Sequence, residues 1–260
     1  VGTGGDGFGT YNISTTVAFV LAGCGVNVAK HGNRSVSSLS GSSDILTELS
    51  VNINLSPSSL TKCINETNIC FMFAPTHHQS FKYVANTRKE LGVRTIFNLL
   101  GPLCNPGNVK NHLIGVYDKK WVNPIARTLH QLGSKKAWVV HGKDGLDELT
   151  TTNKNYVTEL SNGECKEFEI SSTDYSINKT NISKLKGGHP KENAHELLKV
   201  LNGEKNEYRD IVLLNSSAGL LILNKCKDIS EGIEIAKESI DSGNAIASLN
   251  KLIETSNKLK

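Results

Sequence analysis

Glycine divides this chain into short β-branched runs alternating with longer helical stretches, and that order constrains the fold more than any other feature. A strand followed by a glycine- or serine-rich loop and then a helix favours α/β layering over a helical bundle or a β-sandwich. The first loop, residues 2–9, leads through Asn12-Ile13-Ser14-Thr15 into a helix carrying Val17, Ala18, Val20 and Leu21, stopped by Gly23 and Gly25. Residues 26–29 read as a strand that ends in Lys30-His31-Gly32-Asn33-Arg34, and Gly41-Ser42-Ser43-Asp44 then caps a helix containing Ile45, Leu46 and Leu49. Residues 69–73 read as a buried strand, and 76–91 as a helix ending at Gly92 with Arg88 in its last turn. Strands at 113–117 and 137–140 flank a helix at 121–132, a βαβ pattern that requires parallel pairing. A hairpin follows, 156–160 and 165–170 about Asn162-Gly163. Residues 171–188 are polar and read as a surface excursion, and from Pro190 the pattern is almost entirely helical. The expectation is one α/β domain over residues 1–260, with a mainly parallel central sheet flanked by helices.

Composition narrows the function classes. With 260 residues, 38% of them hydrophobic, the chain can bury a sizeable core. The excess of 29 basic over 25 acidic residues leaves +4, which suits small anionic ligands better than a polynucleotide. Six scattered cysteines with no C-x-x-C pair suggest neither a zinc ribbon nor a disulfide framework, so a cytoplasmic location is expected. The apolar runs at 17–24 and 211–223 are too short to cross a membrane, and Asn215-Ser216-Ser217 interrupt the second. The chain begins at Val1 and its single methionine is Met72, so residue 1 is not an ordinary translation start and a segment upstream is expected.

Gly2-Thr3-Gly4-Gly5-Asp6-Gly7 matches G-x-G-x-x-G, but the region twenty residues on, Val26-Asn27-Val28-Ala29-Lys30, has no acid to hold a dinucleotide ribose. There is no G-x-x-x-x-G-K-[ST] loop. A structural turn is one reading of these glycines, and an anion cradle of backbone N–H groups at a helix N-terminus is the other. Asn12, Ser14 and Thr15 are either simple capping residues or ligands to phosphate and hydrated Mg2+. Lys30-His31-Gly32-Asn33-Arg34 with Ser35, Ser37 and Ser38 gathers donors between a strand and a helix. Asp147-Glu148 follows the turn Gly142-Lys143-Asp144-Gly145 at the C-terminal edge of the sheet, where a solvated pair and a Mg2+ site compete as readings. His77-His78 lacks zinc-ligand spacing and suits a helix surface or a substrate contact. No G-x-S-x-G elbow is present.

Six strings in this order, Gly2-Thr3-Gly4-Gly5-Asp6, Asn12-Ile13-Ser14-Thr15, Lys30-His31-Gly32-Asn33-Arg34, Gly41-Ser42-Ser43-Asp44, 94–103 and Asp147-Glu148, resemble the anthranilate phosphoribosyltransferase family. The resemblance implies transfer of the 5-phosphoribosyl group from phosphoribosyl diphosphate to the amine of anthranilate, without a covalent nucleophile. It implies a phosphoribosyl diphosphate site at Gly2, Gly5, Asp6, Thr10, Asn12, Ser14, Thr15, Lys30, His31, Gly32, Asn33, Arg34, Ser35, Ser37, Ser38 and Ser42. Anthranilate would meet Gly2, Asn33 and Arg88, with His31 and His78 as pocket walls, and Mg2+ would bind at Ser14, Asp147 and Glu148. His77-His78-Gln79 stands where the family usually has Tyr-His-Pro, and Phe8 where a small residue is common. The resemblance also implies an incomplete small helical domain, made of the 76–91 helix and an N-terminal segment not in this sequence, and a homodimer formed through it. Partners beyond the small substrates, a membrane or nucleic acid, are not expected. The alternatives are a pyrimidine nucleoside phosphorylase of the same fold and a non-catalytic nucleic-acid-binding relative.

Overall fold

The fold comes from a computed structural model that describes residues 1–34, 39–78, 82–91 and 93–259, except the side chains of Lys82, Ala85, Asn86, Arg88 and Lys89. The first half runs α1 (Ile13–Gly23), β1 (Val28–Gly32), α2 (Ser42–Glu48), α3 (Pro57–Thr67), β2 (Ile69–Phe73), α4 (Ala74–His77), α5 (Lys82–Leu91) and α6 (Ile96–Leu103). It continues through β3 (Asn111–Gly115), α7 (Val122–Gln131), β4 (Lys136–Gly142), β5 (Lys154–Ser161) and β6 (Glu164–Ser171). Four helices close the chain: α8 (Pro190–Leu201), α9 (Glu207–Ile222), α10 (Ile229–Asp241) and α11 (Asn244–Lys258).

Local chemistry sets many of these boundaries. Ser56 accepts the N–H of Ser59 and Pro57 opens α3, while Asn68 leaves it in the left-handed region at φ 60°. Asp44 accepts the N–H of Gly41 at 2.9 Å and closes the start of α2. Helices flank the strands on buried apolar faces, as expected for the α/β class.

Among the described residues the strands form two sheets. β1 and β2 pair in parallel, and a second sheet has the order β3-β4-β5-β6, parallel at β3/β4 and antiparallel through the hairpin. Residues 1–3 run along β3 with one bridge, Gly2 to Gly115, and the chain then turns away through Gly4 and Gly5 at φ 65° and 76°. The expected single, mainly parallel central sheet is thus two sheets, the larger antiparallel at two of its three strand pairs because the β5–β6 hairpin adds onto β4, and the chain start lies beside β3.

Two boundaries differ from those the sequence suggests. β1 begins at Val28 and runs through Gly32, so Lys30 and His31 lie on a strand, opposite Phe71 and Met72, rather than in a loop. The 76–91 helix is not continuous: α4 ends at His77, His78 leaves the helical region at φ −119° and ψ 65°, and α5 begins at Lys82. Residues 171–188 run over the surface with about half of them exposed, as their polarity suggests, but the segment is pinned to the glycine loop. Leu185 is fully buried, its carbonyl accepts the N–H of Tyr11, and Lys186 bridges Thr10. The apolar Leu185 and Ile177 anchor this polar stretch from within, which its average polarity conceals.

Candidate active site

The glycine loop meets the second sheet at Asp147. A Cβ on Gly2 would lie 2.3 Å from Asp147 Oδ2, and one on Gly115 would lie 1.5 Å from the Asp147 carbonyl oxygen. Only glycine permits that approach. The Gly4 N–H donates to Asp147 Oδ2 at 2.6 Å, so the loop and the acidic segment are joined directly. On the other side Glu148 faces the first turn of α1, where the Ser14 N–H favours its charged form against burial. Lys30 reaches across from β1, its Nζ donating to Ser14 Oγ at 3.1 Å.

Asn12 precedes α1 but makes no capping bond. Its Nδ2 donates to the Ser40 carbonyl at 3.3 Å and its Oδ1 accepts from Asn193 Nδ2 at 3.0 Å. Thr15 is buried, and its hydroxyl has no hydrogen-bond partner among the described residues. Thr10 is held through its backbone by the bridge to Lys186.

Asp147 and Glu148 are both nearly buried, and burial raises the pKa of each. For Asp147 the nearby charges of Asp6 and Glu148 add to burial. Lys30 shows the opposite response. Burial lowers its pKa to about 8 although Glu148 favours the ammonium. The site thus holds carboxylates and one cation under tension from a low-dielectric surrounding. Its donor set of carboxylates and a serine hydroxyl is all oxygen, the chemistry that Mg2+ prefers. Among the described residues no three His, Cys, Asp or Glu side chains converge as a preformed shell. An ion held by one or two protein carboxylates plus substrate phosphates fits that arrangement.

His31 and His78 meet edge to face, their ring centroids 5.0 Å apart. Burial, with His78 second, pushes His31 down to about 4, so its ring is neutral, and its Nε2 has no partner among the described residues. A Cβ on Gly32 would lie 2.2 Å from Ser42 Oγ, which bonds to the Asn33 carbonyl at 3.4 Å. These contacts bring β1 and the start of α2 together. Asn33 and Arg34 are exposed. Ser35, Ser37 and Ser38 lie outside the described residues, as does the Arg88 side chain, whose backbone is in the last turn of α5.

Two contributors escaped the sequence reading. Arg94 stands beside Gly5 and over the Tyr117 ring, 4.6 Å from its centroid. Arg94 opens the 94–103 string that carries part of the resemblance, which gives it no site role. Asn193 braces Asn12 and also accepts the N–H of Gly188 at 2.7 Å, a long-range role without a sequence signature. Phe8 packs over the turn at Gly145, where a Cβ would come within 3.2 Å of its ring.

The family model described as "Glycosyl transferase family, a/b domain" matches residues 1–246. The anthranilate phosphoribosyltransferase of Chelativorans sp. strain BNC1 is 52% identical over 258 residues, covering 99% of this chain and 76% of the relative. That of Petrotoga mobilis is also 52% identical, covering 99% and 75%. Among solved structures, anthranilate phosphoribosyltransferase from Thermus thermophilus superposes with a TM-score of 0.93 at 39% identity, covering 98% of this chain and 76% of that one. The Saccharomyces cerevisiae enzyme, in complex with PRPP and Mg, gives a TM-score of 0.91 at 33% identity, covering 99% and 73%.

Proposed function

This chain belongs to the anthranilate phosphoribosyltransferases, and from that membership we propose how its residues divide the work. It transfers the 5-phosphoribosyl group from phosphoribosyl diphosphate to the amine of anthranilate, releasing diphosphate, in tryptophan biosynthesis. A C–N bond forms at C1 of the ribose as the C1–O bond to diphosphate breaks.

The observation that carries our reading is the meeting of three elements, the glycine loop, the start of α1 and the Asp147-Glu148 segment: the Gly4 N–H bonds to Asp147, and Lys30, which interacts with Glu148, bonds to Ser14. We assign the diphosphate end of the co-substrate to the loop from Gly2 through Gly5, Asp6 and Thr10 to Asn12, Ser14 and Thr15. Backbone N–H groups and the positive end of α1 favour an anion there. Lys30 supplies a buried cation, and His31, Gly32, Asn33, Arg34, Ser35, Ser37, Ser38 and Ser42 complete the binding of the sugar and its phosphate. Ser14, Asp147 and Glu148 are the residues we assign to Mg2+, which when bound offsets negative charge on the diphosphate.

Anthranilate is assigned to Gly2, Asn33 and Arg88, with His31 and His78 as walls. A neutral His31 suits an uncharged aniline nitrogen, and Arg88 suits the carboxylate ortho to it through paired N–H contacts. No side chain attacks the ribose. Holding the amine beside C1 and stabilising charge on the leaving group carry the rate. The small helical domain including α5, and a homodimer, belong to the same proposal. Exposed Tyr83, Leu91, Val93 and Ile96 along α5 and into α6 support it.

The test is loss of anthranilate fluorescence on addition of phosphoribosyl diphosphate and Mg2+. The wild-type chain is expected to turn over, and the double variant Asp147→Ala, Glu148→Ala to lose about a hundredfold in rate and its ordinary metal titration. Unchanged titration and turnover in the double variant would remove the metal assignment.

A further inference from the structure

The segment between β4 and β5 carries Asp147 and Glu148 without forming a helix or strand of its own. Asp147 and Glu148 are both buried there, and a stretch without regular backbone pairing has to be held in place by its surroundings. The two residues that follow them show how. Asn215, on α9, accepts the Leu149 N–H at 3.1 Å through Oδ1 and donates through Nδ2 to the Leu149 carbonyl at 2.8 Å. Asn155, on β5, repeats the pattern one residue on, accepting the Thr150 N–H at 2.6 Å and donating to the Thr150 carbonyl at 3.0 Å.

Both amides are fully buried, at 0% exposure. Asn215 has a further bond to the Ile211 carbonyl at 2.8 Å, so its acceptor and both of its donors are committed. An asparagine in the interior of a buried helix is disfavoured by helix propensity and costly to desolvate unless it is bonded. Here it breaks the apolar run at 211–223 and commits its oxygen and both N–H donors to its own helix and to the backbone of Leu149, next to Glu148. A backbone amide of the acidic segment fixed in this way cannot rotate without breaking a buried pair of bonds.

We infer that Asn215 and Asn155 are positioning residues for the Asp147-Glu148 pair, acting through the Leu149 and Thr150 peptide groups to set the site for a divalent cation with phosphoribosyl diphosphate. This inference rests on the metal assignment above. It adds that the geometry of the pair is imposed by α9 and β5 and exists before ligand arrives.

Calorimetric binding of phosphoribosyl diphosphate across a Mg2+ series, with melting temperatures recorded alongside, tests the inference. Asn215→Ala and Asn155→Ala are expected to raise the Mg2+ concentration for half-maximal binding at least fivefold. Leu129→Ala, a core truncation on α7 in a cluster that includes neither Leu149 nor any residue of α9, is expected to lower the melting temperature and leave the Mg2+ requirement unchanged. Wild-type Mg2+ dependence in the folded asparagine variants, or an equal shift in Leu129→Ala, would overturn the inference. Asp147→Ala is the separate control: if it binds Mg2+ and phosphoribosyl diphosphate as the wild type does, the metal assignment fails.

Hydrogen exchange on the wild-type chain decides the matter even where a variant does not fold. The Leu149 and Thr150 amides are expected to be protected to the level of β4 before any ligand is added. Protection gained only with Mg2+ and phosphoribosyl diphosphate would mean that ligand, rather than the two asparagines, organises the segment.

Discussion

At the scale of single residues, the site is built at a cost to stability. Asp147 and Glu148 are buried and their pKa values are raised, so from the ordinary carboxylate range upward the folded chain holds protons that the unfolded chain has lost. The folded state then binds more protons than the unfolded state, and this contribution falls as pH rises through that window. Lys30 has the opposite sign. Its folded pKa of about 8 lies below the ordinary value of 10.5, so the unfolded chain binds more protons between those values and this contribution rises with pH there. Asp147→Asn keeps an oxygen for the Gly4 N–H, cannot ionise and no longer repels Asp6 and Glu148. It is expected to raise Tm at pH 7, by about 2–4 °C for each kcal/mol relieved, to flatten the fall in stability as pH rises above the ordinary carboxylate range, and to weaken Mg2+-dependent binding. Thermal scans across that range check it, and a variant melting below wild type at pH 7 would show that the carboxylate is already stabilised without a metal.

At the scale of elements, what was legible in the sequence is what local chemistry determines. The strand Ile69–Phe73 matches its expected limits, the hairpin about Asn162-Gly163 is present, and the helices from Pro190 stand where the pattern places them. Local signals also mark the glycine loop and the acidic pair. Long-range pairing is not legible in this way. Lys30 reads as a loop cation until β2 lies beside it, and nothing in the polar string 172–188 announces that it braces the glycine loop. That brace is tight: Gly187 donates to the Gly9 carbonyl at 2.9 Å, and a Cβ on Gly187 would lie 2.8 Å from the Thr10 carbonyl oxygen and 2.9 Å from the Asn193 amide. Gly187→Ala must push this strand off the loop, at about 1–3 kcal/mol of stability. If the brace also shapes the anion cradle, phosphoribosyl diphosphate affinity drops about tenfold while the chain remains folded. Denaturation and calorimetry on the same preparation separate the two effects, and unaltered affinity would make the brace structural only.

At the scale of the whole molecule, the proposed site draws its groups from both sheets, with Lys30 on the smaller and Asp147 at the edge of the larger. Their alignment therefore depends on what ties the two halves together. The buried helix α9 does so: Ile211, Val212 and Leu213 belong to the core around α1 and the smaller sheet, while Leu214, Ala218 and Ile222 belong to the core that includes Trp138 and Val140. The same helix packs on α1, α10, β3 and β4. A shared helix buried continuously over residues 211–220 makes separate unfolding of the halves costly, because either half alone would expose one side of it. Phe19, in the middle of α1, lies wholly within the first core, whereas Trp138 belongs to the second and Trp121 packs against the third. Truncating Phe19 to alanine is expected to cost about 3–5 kcal/mol. If the chain is one cooperative unit, tryptophan fluorescence, which reports only the far side, moves to lower urea by that full amount in a single transition coincident with far-ultraviolet circular dichroism. A tryptophan midpoint left at the wild-type value, with the dichroism signal split in two, would show that the halves fold independently and that α9 does not couple them.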